Sequence, residues 1–388
     1  MLYNYLSRAA TTAATNRCWM STNAAPITNI QNHHQLNSLL TQHPQTPIID
    51  VRAPSEFLHD HIPGAINLPV LTEEQRIEVG TVYKGQPFHA RRKGAIHISR
   101  NISDMLENYF HNKDPASFHP LIYCWRGGQR SKSLTHILSQ IGFQVRFLDD
   151  GYKTYRKQIV SNLQTIPSTM SFILLGGHTG AGKTKVLQHL HNDGHQMIDL
   201  EHLAEHRGSL LGHTDGIKKI QQPSQKTFES RIVKELSKIN PNQMVWLEAE
   251  SNKIGDLHVP TELWSVMKKS PRINLRVPIQ ERVKHTMQTY QYWMNSNHKK
   301  ELDTQVLKRL EKKLGKQWYQ NMMELVENKQ WEEFVERLLT DHYDVLYLAN
   351  EEKSADVLGE IELDTLNEED IVDTFLPKVS QYKNVSRI

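Results

Sequence analysis

Cysteine is nearly missing from these 388 residues. Cys18 and Cys124 are the only two, too few for a disulfide framework or a four-thiolate metal site, which points to a reducing compartment. No apolar run approaches the ~18 residues that span a bilayer, so an integral helical membrane protein is excluded. Acidic residues are absent ahead of Asp50, and Arg8 and Arg17 lie among many Ala, Thr and Ser. Residues 1–19 therefore resemble a mitochondrial transit peptide in composition, but their basic residues are few and show no amphipathic pattern. Met20 reads as the better start, with a cytoplasmic, bacterial-type location expected and a mitochondrial one only if 1–19 is a genuine leader. A strong net charge is also lacking: 46 Lys+Arg stand against 43 Asp+Glu, formally +3. Taken whole, that total argues against a nucleic-acid partner.

Taken by segment it does not. Residues 351–388 hold ten acids against four basic residues, a balance of −6, which leaves +9 for the rest. The stretch 268–316, with Lys268, Lys269, Lys299, Lys300, Lys312 and Lys313, has thirteen Lys/Arg against four acids, and 79–103, with Lys84, Arg91 and Arg92, has no acid at all. Such islands are the electrostatic footprint of a polyanion partner, or else ordinary solvated helix faces.

The length suits two domains or three. Pro47–Val51, Leu121–Cys124 and Gln144–Leu148 read as short strands and Ser131–Ile141 as a helix. Phe172–Leu175 and Met244–Leu247 read as later buried strands, and 281–347 as mostly helical. The expected organisation is an N-terminal extension over 1–25, an α/β domain over 30–160, and a polar linker over 161–170. A second α/β domain with a helical, basic region follows over 171–350, then an acidic tail over 351–388.

Cys124-Trp-Arg-Gly-Gly-Gln-Arg130-Ser131 follows a strand and opens a helix. Successive amides, the helix N-terminus and Arg130 all favour an anion there, with Arg126 beside them, so Cys124 is a candidate nucleophile in an anion cradle. The alternative is a buried structural thiol. Gly177-His-Thr-Gly-Ala-Gly-Lys-Thr184 matches the phosphate-loop pattern in full. Gly177, Gly180 and Gly182 would shape the loop, Lys183 would reach outer phosphate oxygens, and Thr184 would face Mg²⁺. Glu248, closing an apolar strand, is placed to order a metal or a water, or to form a surface salt bridge. The motif establishes phosphate binding rather than hydrolysis.

Asp50-Val-Arg-Ala-Pro-Ser-Glu-Phe57, His61-Ile-Pro-Gly-Ala-Ile-Asn-Leu-Pro69 and the Cys124 loop resemble the rhodanese family. Asp60 stands where that family usually has glycine, and five residues separate Cys124 from Arg130, as in dual-specificity phosphatases. The pairing with a phosphate loop is similar to the tRNA 2-selenouridine synthase family. That likeness also rests on Val79–Lys84, Gly151–Arg156, Asp199–Ser209, Gln222–Lys226, Glu248–Gly255 and Asp341–Tyr347, with Asp150 in place of a common glycine.

The resemblance implies a rhodanese-like parallel-sheet domain followed by a P-loop NTPase-like α/β domain with a helical C-terminal region. It also implies a selenotransferase acting on tRNA that carries wobble 2-thiouridine, through a geranylated intermediate. Geranyl diphosphate and selenophosphate would be the substrates, Mg²⁺ a possible ion and a selenophosphate-supplying enzyme a partner. Tyr290, Tyr292 and Trp293 are candidate base-stacking residues, or helix core. Two other readings stay open on the residues: a cysteine-dependent phosphatase or arsenate reductase with a nucleotide-binding module, and a nucleotide-gated RNA-binding protein.

Overall fold

A computed structural model describes residues 24–208, 222–249, 251–291, 294, 302, 306–347 and 357–382, and forms two compact units divided between Lys157 and Gln158. The first runs β1 (Ile27–Ile30), α1 (His33–Gln42), β2 (Ile48–Asp50), α2 (Pro54–His59), β3 (Ala65–Asn67), α3 (Glu73–Tyr83), α4 (Pro87–Met105), β4 (Leu121–Tyr123), α5 (Gln129–Gln140), β5 (Val145–Leu148) and α6 (Tyr152–Thr165), the last crossing the division. Its sheet is parallel throughout, in the order β1-β5-β4-β2-β3. Every residue of β2 and β4 is buried, because helices cover both faces of a parallel sheet; hence their unbroken apolar runs rather than alternation. The functional ends follow from this placement: Asp50 and Tyr123 end neighbouring strands, and Cys124 leaves the sheet beside them.

The segment 161–170 is not a linker. Helix α6 continues to Thr165, and Pro167–Thr169 make a 3₁₀ turn. Ile159 and Leu163, spaced i,i+4, are both buried, so the polar residues between them are the outer face of a helix.

The second unit continues with β6 (Ser171–Gly177), α7 (Lys183–Asn192), β7 (Gln196–Ile198), α8 (Leu200–Leu203), α9 (Gln225–Leu236), β8 (Met244–Glu248), the short antiparallel pair β9 (Lys253–Ile254) and β10 (Leu257–His258), α10 (Thr261–Met267), β11 (Arg272–Arg276) and α11 (Ile279–Thr289). Helices α12 (Lys308–Leu314), α13 (Lys316–Glu327) and α14 (Trp331–Leu338) follow, then β12 (Val357–Glu362). The main sheet is parallel in the order β12-β11-β6-β8-β7. Its core holds Trp246, Ile173, Leu187 and Leu275, while α11–α14 pack around a separate cluster with Leu310, Met322 and Phe334.

The acidic stretch is also no tail over its described part. Strand β12 pairs with β11 along the sheet edge, and the helical turns Glu368–Asp370, Ile371–Phe375 and Leu376–Val379 bury Ile371, Phe375 and Val379 in the same core as Trp246. Those three residues recur every fourth position, and Ile361 and Leu363 alternate with exposed acids. Glu360, Glu362, Glu368, Glu369 and Asp373 lie on the solvated faces of these elements.

Candidate functional sites: a cysteine loop and a phosphate loop

Cys124 is 2 % exposed at the base of the loop between β4 and α5. Its Sγ accepts hydrogen bonds from the Gly128 amide (3.3 Å) and the Ser131 hydroxyl (3.0 Å). Both donors come from the loop and the first turn of α5. Arg130, whose charge interacts with Cys124, also makes a forked pair with Glu56 of α2, at 2.6 and 3.2 Å. Burial works against both charges, yet the Arg130 hydrogen bond and charge hold Glu56 below the usual carboxylate range, and Glu56 raises Arg130 in turn. Arg126 is exposed.

The loop's shape is fixed from behind by the Leu148–Tyr152 turn. Gly151 has φ 54°, and a Cβ there would lie 2.1 Å from the Cys124 carbonyl, which accepts the Tyr152 amide at 2.8 Å. Only glycine fits. Asp150, before it, also adopts a left-handed φ of 55°, a conformation that aspartate tolerates better than most side chains, which accounts for its standing in for glycine. Asp60 has a definite task as well. It is buried and accepts the Tyr152 hydroxyl at 2.6 Å, while its carbonyl accepts Arg52 at 2.6 Å. Arg52 pairs with buried Asp50 at 2.6 Å and lies 4.3 Å from the Tyr152 ring, on which Trp125 of the loop stacks.

In the second unit, Gly177, Gly180 and Gly182 take φ of 144°, 82° and 73°, curling the chain between β6 and α7. A Cβ on Gly180 would lie 2.6 Å from the Thr286 hydroxyl of α11. Lys183 Nζ reaches back to the Gly177 carbonyl at 3.3 Å. Thr184 donates to Glu248 Oε1 at 2.9 Å, and Glu248, wholly buried, also accepts the Glu201 amide at 3.4 Å. Glu248 is therefore at the phosphate loop and not in a surface salt bridge. A cavity of about 660 Å³ opens over the loop, walled on its far sides by Asp199, His202, Arg207, His285 and Tyr290. Tyr290 also packs against the helical cluster and lies under Arg207.

Two supports of the phosphate loop escape motif reading because their partners are remote in sequence. Arg282 of α11, 4 % exposed, donates from Nε to the Thr179 carbonyl at 3.0 Å and holds Asp344 through both guanidinium nitrogens at 2.6 and 3.0 Å. His178 lies 3.5 Å from the same carboxylate; burial, then the Arg282 charge, push its pKa down to about 4. From the other side Leu366 packs on Gly182, and its carbonyl accepts Lys185 Nζ at 2.7 Å. The C-terminal acidic segment is thus part of the loop's mounting.

Lys84, Arg91 and Arg92 are exposed around the junction of α3 and α4, Lys268 and Lys269 at the end of α10, and Lys312 and Lys313 at the end of α12. Lys299, Lys300, Tyr292 and Trp293 lie outside the described residues. Among the described residues no helix is long and apolar enough to cross a membrane.

Comparison with known proteins places these sites in one family. The rhodanese-like domain matches residues 32–158, and the tRNA 2-selenouridine synthase AAA domain matches 170–368, taking in β12. A tRNA 2-selenouridine synthase of Bdellovibrio bacteriovorus is 31% identical over 361 residues, covering 82% of this chain and 92% of its own. That of Hahella chejuensis is 32% identical, covering 80% and 86%. The Nitrosomonas europaea protein is 34% identical over 63% of each chain. With its cysteine loop on a rhodanese-like sheet and its phosphate loop in the matched AAA domain, the chain belongs to the tRNA 2-selenouridine synthase family.

Proposed function

We propose that this protein is a tRNA-modifying enzyme that replaces the sulfur of wobble 2-thiouridine with selenium, in two steps served by the two loops. The observation that carries the reading is the presence, in one chain of this family, of a cysteine whose sulfur accepts two hydrogen bonds from its loop and a complete phosphate loop with a buried acid at its threonine.

In the first step the thiouridine sulfur attacks C1 of geranyl diphosphate. An S–C bond forms, the C–O bond breaks, and diphosphate leaves. The loop amides and Lys183 suit that leaving group, since they stabilise the charge that develops on it. Thr184 and Glu248 offer oxygen ligands that fit Mg²⁺, which would neutralise diphosphate charge when bound.

Selenophosphate carries selenium at the selenide level, so an S–Se adduct on Cys124 would require a two-electron oxidant. Attack of the Cys124 sulfur on phosphorus requires none. The S–P bond forms, P–Se breaks, and selenide leaves with the electron pair to add at C2 of the base. Geranylthiolate then departs, and water cleaves the S–P bond to return the thiol and phosphate. The phosphatase-length loop and the Ser131 and Gly128 donors suit this phosphoryl transfer.

The test is mass spectrometry of nucleosides from 2-thiouridine tRNA incubated with the protein. Both donors together should give 2-selenouridine, and geranyl diphosphate alone should give the S-geranyl nucleoside. Unchanged tRNA together with hydrolysis of a generic aryl phosphate would favour the phosphatase reading.

A further inference from the structure

The turn joining α3 to α4 contributes to neither anion site, yet its composition is unusual for a solvated surface. Over Tyr83–Arg92 it exposes Tyr83 (55 %) and Phe88 (67 %), and Lys84, His89, Arg91 and Arg92 are exposed with them. No acid occurs from 79 to 103. Several cations further along the two helices are matched: Lys93 and His97 pair with Glu78, and Arg76 pairs with Glu73, whereas Arg100 has no carboxylate partner among the described residues. Lys84, Arg91 and Arg92 have no carboxylate partner among the described residues; Arg91 touches only the Pro87 carbonyl, and Arg92 lies 3.5 Å from His89.

A single exposed aromatic needs no explanation. Two on one turn, interleaved with three unmatched cations, form the combination that single-stranded nucleic acid requires, in which rings stack on bases while cations meet the flanking phosphates. A purely apolar partner would desolvate the cations without matching them. The turn is also firmly based: Ala90 and Gly94 are buried, and Gly94 abuts Val79 of α3.

We propose that this helical-hairpin tip is an RNA-binding surface, with Tyr83 and Phe88 stacking on unpaired bases and Lys84, Arg91 and Arg92 neutralising the adjacent phosphates. The proposal rests on the tRNA reading above and adds where RNA is held on the first unit.

The test is fluorescence anisotropy of the full-length protein with three labelled probes: a tRNA transcript, a single-stranded 12-mer and a blunt duplex. Y83A/F88A should weaken tRNA and single-strand binding by about tenfold or more, with little effect on the duplex. R91Q/R92Q should lower the salt dependence of single-strand binding by about 1.4 in log–log slope, two phosphate contacts at about 0.7 each. Both variants should melt at the wild-type temperature, since all four side chains are exposed. Wild-type affinity in both variants would overturn the surface assignment while leaving the tRNA reading intact. A wild-type protein that binds no tRNA would overturn both.

Discussion

Removing the Asp344 carboxylate tests whether the phosphate loop is held from the helical side. Asp344→Ala leaves Arg282, 4 % exposed, with its positive charge answered, among the described residues, by the Thr179 carbonyl. Breaking a buried ion pair costs about 3–5 kcal/mol. The Asp344 side chain is 20 % exposed, and water can enter once it is gone, so about 2–3 kcal/mol is the better expectation. For a unit of this size that corresponds to a fall in Tm of about 5–10 °C. The assay is thermal unfolding of the full chain, with isothermal titration of inorganic pyrophosphate as a second readout. Because Arg282 contacts both Thr179 and the space beside Gly180, affinity for pyrophosphate should fall as well. Replacing both partners by apolar residues, R282M/D344L, should recover much of the stability but not the affinity. A D344A variant that melts within about 1 °C of wild type and binds pyrophosphate normally would refute the clamp.

Gly151→Ala forces a Cβ to 2.1 Å from the Cys124 carbonyl at φ 54°; a loss of about 3 kcal/mol or more is expected by chemical denaturation of the full chain. Ending the chain at residue 356 strips β12 and the buried Ile371, Phe375 and Val379 from the core around Trp246, so the truncated protein should precipitate on expression, and a soluble, cooperatively melting product would contradict the assignment. Two groups should shape the acid limb of stability. Glu56 lies below its ordinary 4.5, so its contribution is present above that pH and lost as pH falls through the folded value; E56Q should flatten that region of a stability–pH profile. His178, depressed to about 4, favours the folded state fully above pH 6.5, and that contribution declines as pH falls from 6.5 towards 4; H178Q should reduce the slope there, with His285 and His342, lowered by burial too, supplying the rest.

What the sequence makes legible is local. The two loops are contiguous strings, each following an apolar strand and opening a helix, and their glycines announce backbone shapes that other residues resist. What it hides is long-range pairing. Arg130 reads as part of the cysteine loop, but its forked pair with Glu56, 74 positions away, carries no signal in the sequence. Arg282 and Asp344 are separated by 62 positions and carry no motif. Asp60 and Asp150, read as departures from a family pattern, prove to be a buried acceptor for Tyr152 and a left-handed turn residue. The acidic segment misleads for a different reason. Net charge counts the exposed face, whereas membership of the core is decided by Ile361 and Leu363 at the end of β12 and by every fourth residue of the helix behind it. Ser131 closes the loop motif as read, and its role follows from its place in the first turn of α5, where its hydroxyl turns back to Cys124 Sγ.

The central claim is that the two loops perform successive steps on one nucleoside, and two variants separate them. With 2-thiouridine tRNA, geranyl diphosphate and selenophosphate supplied together, nucleoside mass spectrometry should find Cys124→Ser stalled at the S-geranyl product and Lys183→Ala stalled at unmodified 2-thiouridine. Formation of 2-selenouridine at the wild-type rate by Cys124→Ser, or intact geranylation by Lys183→Ala, would contradict the account.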